Sequence, residues 1–216
     1  GKFKFTNGMG IIQGLSPRKC DHLITECTFG FPEFIFPSFE QCQRLLNTYV
    51  EKELSEGNPV ILLAYSFGKG QKLLNMLKKY EKILLHRNLA KNTRILEENG
   101  INFNDWEPYG NYDKRRLNKS KDYVLIIPPY SMFKEPYNSL IAGGAKVVLL
   151  SGKILWKGYR ESFPADEYIP YSDHCDFNKL IHFIYECNPK KILVEHGKID
   201  EFSYQLSKLR FNTKVV

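Results

Sequence analysis

Short, wholly apolar runs recur along this chain and alternate with stretches of helical periodicity. Val60–Tyr65 and Tyr123–Ile127 are the longest of these runs. They are the length of a strand and far short of the roughly 18 unbroken apolar residues of a membrane helix. A strand that is apolar on both faces belongs inside a parallel sheet covered by helices. The pattern therefore predicts an α/β fold and excludes both a helical membrane span and wholesale disorder. With 216 residues, 43% of them hydrophobic, the chain can build one large domain or two small ones.

Local signals place the elements. Leu23–Thr25 reads as a buried strand ending at Glu26. Ser38 and Gln41 have capping-box spacing, and Phe39, Cys42, Leu45, Leu46, Tyr49 and Val50 follow a helical stripe that Gly57 is placed to stop. Val60–Tyr65, Lys82–Leu85, Tyr123–Ile127 and Lys146–Leu150 read as strands, with helices through Leu73, Leu74 and Leu77 and over Leu89–Asn99. Asn102–Asp122 is polar and reads as a long loop or exposed edge. The last fifty residues read strand, loop, helix, strand, helix, strand, with helices over Asp176–Cys187 and Ile199–Leu209 and strands over Lys191–Val194 and Thr213–Val216.

Lys and Arg outnumber Asp and Glu by 31 to 24, a formal charge of +7, which favours polyanionic partners such as DNA or RNA. Five cysteines (Cys20, Cys27, Cys42, Cys175, Cys187) form no Cys-x-x-Cys pair and leave one over. That argues against a disulfide framework and for a reducing, cytoplasmic setting. No charged-then-apolar leader opens the chain. The first methionine is Met9, so Gly1 is not a natural translation start. The chain is expected to be an expression-trimmed product or a piece of something longer.

Three ionisable groups follow predicted strands, where open α/β sheets bind ligands: Glu26, His174 and His196. Asp173 and Asp176 flank His174 and are placed to orient its imidazole or raise its pKa for general-acid work. Gly197 lets a ligand or metal approach the backbone beside His196. The bland alternative is that each histidine caps a strand or helix. Ala64-Tyr65-Ser66-Phe67-Gly68 is similar to a nucleophile elbow with Ala at its first glycine. It supports a serine-hydrolase alternative with Ser66 as nucleophile and Asp166 or Asp173 as the acid. Against it stands the simpler view that Ser66 caps the next helix while Gly68 and Gly70 permit a turn. Gly68-Lys69-Gly70 lacks the spacing of a phosphate loop, although backbone N–H groups and Lys69 at that helix start suit a nucleic-acid phosphate. Lys114, Arg115, Arg116, Lys119 and Lys121, with Trp106, Tyr109 and Tyr112 nearby, combine charge with stacking faces.

Four segments occur in order: Asp21-His22-Leu23-Ile24-Thr25-Glu26-Cys27-Thr28-Phe29-Gly30, Ile61-Leu62-Leu63-Ala64-Tyr65-Ser66-Phe67-Gly68-Lys69-Gly70-Gln71, Ser172-Asp173-His174-Cys175-Asp176 and Ile192-Leu193-Val194-Glu195-His196-Gly197. This succession resembles the β-CASP branch of the metallo-β-lactamase superfamily, nucleases acting on RNA or DNA that include exonuclease-like members associated with DNA ligase. The resemblance runs from about Leu15 onward. It implies that Glu26 matches the first β-CASP motif, His174 the histidine proposed to protonate the leaving group, and His196 a histidine helping to ligate one of two zinc ions. It also implies a partial metallo-β-lactamase sandwich (1–37 and 151–216) with an inserted β-CASP α/β domain (38–150).

The family's principal metal motif, His-x-His-x-Asp-His, is absent from these residues, as is a further family histidine before the first β-CASP motif. Neither Thr6-Asn7-Gly8 nor Gly1-Lys2-Phe3 supplies the carboxylate of the family's Thr-Gly-Asp. Zinc needs three or four good ligands. The resemblance therefore implies a nucleic-acid-binding nuclease homologue that is inactive as this chain, a non-catalytic or partner-dependent subunit in RNA or DNA processing. The alternative is the C-terminal part of an active zinc-dependent nuclease whose metal motif lies upstream or on another chain. No cofactor is expected in the chain itself, and zinc only where the missing ligands are supplied. The expected partners are RNA, single-stranded DNA or a protein subunit, and not a membrane.

Overall fold

Every strand pairing among the described residues is parallel. A computed structural model describes residues 3–6, 17–111 and 121–215. Its strands form a six-stranded and a four-stranded sheet, so the α/β expectation holds as parallel sheets with helices.

The larger sheet contains β3 (Val60–Leu63), β4 (Ile83–Leu85), β5 (Glu107–Pro108), β6 (Val124–Ile127), β7 (Lys146–Leu150) and β8 (Glu167–Ile169), in the order β5-β4-β6-β3-β7-β8. Side chains alternate across a strand, and here both sides are covered. Val60, Leu62, Val124, Ile126 and Val148 pack on one face with α1 (Phe39–Ser55), α2 (Lys69–Met76) and α3 (Arg87–Glu98). Ile61, Leu63, Leu125, Ile127, Val147 and Leu149 pack on the other with Tyr137 of α4 (Tyr137–Ala142) and Phe163, which follows α5 (Tyr159–Ser162). This two-sided burial is why these strands are unbroken apolar runs.

The helix limits are chemical. Ser38 Oγ accepts from Gln41 N at 3.2 Å and Ser38 N donates to Gln41 Oε1 at 2.7 Å, the capping box anticipated for α1. At its other end Gly57 has φ +78, while Gly57 N donates to Leu54 O and Asn58 N to Glu53 O. This Schellman closure satisfies carbonyls that the helix leaves open.

The smaller sheet has the order β1 (Phe3–Thr6), β2 (His22–Cys27), β9 (Lys191–Gly197), β10 (Thr213–Val215). Leu23, Cys27, Ile192 and Val194 form its buried face against Leu180 and Ile184 of α6 (Phe177–Cys187) and Phe202 and Leu206 of α7 (Ile199–Lys208). Ile24 and Leu193 on the opposite face are only half-buried. The predicted last strand ends at Val215, and Val216 lies outside the described residues.

The chain divides into two units, one comprising 1–36 and 172–216, the other 37–171. The second division falls after Tyr171, where the sequence suggested Leu150. The reason is β8, which pairs with β7 (Leu150 opposite Ile169) and keeps 151–171 with the larger sheet. Among the described residues no helix is long and apolar enough to cross a membrane.

Candidate functional site

The smaller sheet ends in an irregularity that exposes a histidine. Glu26 on β2 lies opposite Glu195 on β9, but the next pair is Cys27 with Gly197. His196 is the extra residue, a β-bulge of the kind that re-aims a side chain. Its φ is +52, the left-handed region that non-glycine residues seldom occupy. Its side chain is exposed, and its carbonyl accepts from Cys27 Sγ at 3.3 Å. Gly197 follows with φ +118, and a Cβ there would lie 2.5 Å from Cys27 O. Only glycine fits.

Glu26 is buried at the same strand end. Its Oε2 accepts from Thr28 N at 2.7 Å, and its Oε1 lies 3.4 Å from His174 Nδ1. Burial pushes the carboxyl up, but the neighbouring His174 and the Thr28 N–H outweigh it and hold Glu26 below its ordinary value. The 3.4 Å separation is longer than a tight hydrogen bond. His174 N donates to Ser172 Oγ at 3.0 Å, and its ring lies edge-on to Phe29 at 6.0 Å. Phe29 in turn packs edge-on against Phe34 and Phe36. His174 Nδ1 is shielded, yet 36% of the side chain is accessible. Solvent therefore reaches the ring away from the carboxylate. A carboxylate beside one imidazole nitrogen, with the rest of the ring accessible, is compatible with proton transfer at Nε2.

One of the two flanking aspartates works elsewhere. Asp176 caps α6: its Oδ1 accepts from Lys179 N at 2.8 Å and its Oδ2 from Phe36 N at 3.3 Å. The carboxylate facing His174 comes from Glu26, remote in sequence. Burial, then the Glu26 charge, pushes the Cys27 thiol up to about 12 and that of Cys175 to about 11, so neither offers a thiolate at neutral pH.

Among the described residues no three His, Cys, Asp or Glu side chains are grouped as a metal's ligands. The residues in view do not by themselves fit a zinc centre.

The remaining candidates fall differently. Lys69 is 5% exposed, and its Nζ donates to Leu150 O and Tyr171 O between the rings of Tyr65 and Tyr171. It is an internal strut in the larger unit, not a surface contact for phosphate. Lys121 is exposed with φ +43, while Lys114, Arg115, Arg116 and Lys119 lie outside the described residues, as does Tyr112. Ser66 does not cap α2. Gly68, with φ +81, holds that position, and Ser66 uses its carbonyl to accept from Gln71 Nε2 and Asn92 Nδ2. Among the described residues no hydrogen bond joins Ser66 Oγ to a histidine. Asp166 instead accepts from Val147 N at 2.7 Å. The hydrolase triad is not assembled.

One feature of the larger unit escaped sequence reasoning. A cleft of about 550 Å³ is lined by Ser66, His86, Arg87, Asn88, Ser131 and Lys134, among others. Applied to the end of β4, the strand-end rule that singled out Glu26 would have found His86-Arg87-Asn88.

Known proteins align along most of this sequence at low identity. No family model matches the chain. It is 29% identical over 212 residues to a probable DNA ligase of Opitutus terrae, covering 95% of this chain and 20% of that protein. It is 25% identical over 224 residues to an RNase J-like protein of Methanocaldococcus jannaschii, covering 82% of this chain and 52% of that protein. The chain is a distant homologue of both. The resemblance to β-CASP and metallo-β-lactamase proteins seen in the ordered motifs is thus borne out as distant homology over most of the chain. The chain spans only a fifth of one of these curated relatives and about half of the other. A crystal structure of a protein of unknown function from Enterococcus faecalis superposes with a TM-score of 0.54 at 15% identity, covering 86% of this chain and 48% of that one. That likeness concerns the fold alone.

Proposed function

We propose that the chain is a nucleic-acid-binding homologue of β-CASP nucleases that does not hydrolyse by itself, serving as a non-catalytic or partner-dependent subunit in RNA or DNA processing. The observation that carries this reading is the homology to an RNase J-like protein over 82% of the chain. The absence of a grouped ligand set among the described residues supports the non-catalytic part. In this reading the smaller unit is the metallo-β-lactamase portion and the larger the β-CASP insertion. In support, the smaller unit is built from two separated stretches and the larger from one continuous stretch between them. The Glu26–His174 pair keeps the geometry of a proton donor to a leaving group, and His196 stands exposed on its bulge as a single metal ligand. The excess of cations, including the Lys114–Lys121 segment, supplies attraction for phosphates.

Coverage favours a second reading. The chain matches only parts of its curated relatives, and the remainder of proteins of that kind is a natural source of the missing ligands. The chain then contributes Glu26, His174 and His196 to a hydrolytic centre completed by residues outside it.

The test is titration of labelled single-stranded RNA and DNA at low and moderate salt. Binding is expected to weaken steeply, with a log–log slope of about 0.7 per phosphate contacted. No binding at low salt, by the chain alone or with a partner, would remove the nucleic-acid role.

A further inference from the structure

The cleft in the larger unit lies at the C-terminal ends of β3, β4 and β6, the region where open parallel sheets take their ligands. Its cations are Arg87 and Lys134, both exposed. One carboxylate, Glu135, also lines it, and both its oxygens accept from Ser139 Oγ at 2.7 Å. His86 is buried at the base of α3, where its Nδ1 accepts from Asn88 N at 3.2 Å. It therefore adds a neutral imidazole beside Asn88. Arg87 also borders a second cleft along α3 with Lys91 and Arg94, so positive charge continues down the helix. The Arg94 guanidinium sits 5.6 Å over the ring of Trp106.

Aromatic side chains stand out of the surface beside the first cleft. Tyr65, Tyr130 and Phe133 are 46%, 70% and 53% exposed, and each adjoins a cleft-lining residue in sequence: Ser66, Ser131 and Lys134. They belong to one patch. Tyr130, Phe133 and Tyr159 surround buried Phe163 at 5.0, 6.1 and 5.4 Å, and Tyr159 lies near enough to Tyr65 to help burial push its hydroxyl up to about 12. A cluster of exposed rings, next in sequence to residues that line the cleft, marks a surface that a partner would cover. Cations next to ring faces suit a chain that is both anionic and planar-ringed, and an acidic peptide uses only the cations.

We propose that this face of the larger unit is a binding site for single-stranded nucleic acid. Phosphates lie on Arg87 and Lys134 and continue toward Lys91 and Arg94, while unpaired bases stack on Tyr130 and Phe133. A duplex buries its base faces and cannot use the rings. The inference rests on the nucleic-acid reading above and adds the residues that bind and the exclusion of duplex from the rings.

The experiment is fluorescence anisotropy on the full chain with labelled single-stranded RNA, single-stranded DNA and the matching duplex. Three proteins are compared: the unaltered chain, Arg87→Gln with Lys134→Gln, and Tyr130→Leu with Phe133→Leu. The charge pair is expected to weaken single-strand binding roughly tenfold and lower the salt slope by about 0.7 for each phosphate no longer neutralised. The aromatic pair should weaken it roughly tenfold with the slope unchanged and leave any duplex binding alone. Unaltered affinity in both variants, with the parent chain binding, overturns this site and leaves the nucleic-acid reading standing. No binding by the parent at low salt overturns both. If the aromatic pair loses cooperative melting, photocrosslinking of a halogenated single strand to the unaltered chain replaces it. Adducts on Tyr130 or Phe133 support the site, and adducts confined to other segments overturn it.

Discussion

Glu26 shows how one buried charge is tolerated. Its carboxylate accepts a short bond from Thr28 N and faces His174, and these interactions outweigh desolvation. A group whose folded pKa is depressed contributes stability that is complete above its unfolded value, near 4.5, and is lost as pH falls through the lower folded value. Glu26→Gln should cost about 1.5–3 kcal/mol at pH 7, the worth of hydrogen bonds to a buried charge. Urea denaturation of both proteins should show that difference shrinking as the solution is acidified below about pH 4.5; a constant difference would mean the charge is not what matters. Gly197 makes the matching backbone case. With φ +118 and Cys27 O at 2.5 Å from any added Cβ, Gly197→Ala should lower stability by about 1–3 kcal/mol. The same substitution at Gly110, where an added Cβ meets nothing within 4 Å, should change the melting midpoint far less.

At the scale of elements, α3 begins on a histidine whose Nδ1 is the cap acceptor. Burial, then the neighbouring Arg87, depresses its pKa, so the imidazole is neutral where it caps. Protonation removes the acceptor and sets a positive charge at a helix N-terminus, which the helix dipole disfavours. The stability that His86 contributes is therefore whole above its unfolded value near 6.5 and declines as pH falls through the folded value. His86→Asn keeps a good cap and should flatten this part of the pH–stability curve, while His86→Leu should cost about 1 kcal/mol at neutral pH. The helix signals themselves were readable. The Ser38–Gln41 box and the Gly57 stop appear where the residue types placed them, because a cap involves only neighbours within a turn. α4 and α5 went unread, since helices of six residues or fewer complete no apolar stripe.

At the scale of the molecule, the chain is a distant homologue of an RNase J-like protein and has, among the described residues, no grouped metal-ligand set. Elemental analysis of protein purified without chelator is expected to find far less than one zinc per chain. A tightly held stoichiometric ion would require a ligand set that includes residues beyond those described and would restore the hydrolytic reading.

What the sequence determined by itself was local or ordered: the parallel α/β class from apolar runs, the helix limits from their caps, and the distant kinship from the succession of motifs. Tertiary structure alone decided the neighbours. It turned Lys69 inward onto two carbonyls, gave His174 its carboxylate from Glu26 while Asp176 capped a helix, and raised His196 on a bulge set by strand register. The physical reason is range. Periodicity and capping depend on residues within about one turn, whereas burial, ion pairing and register depend on which distant segments the sheet brings side by side.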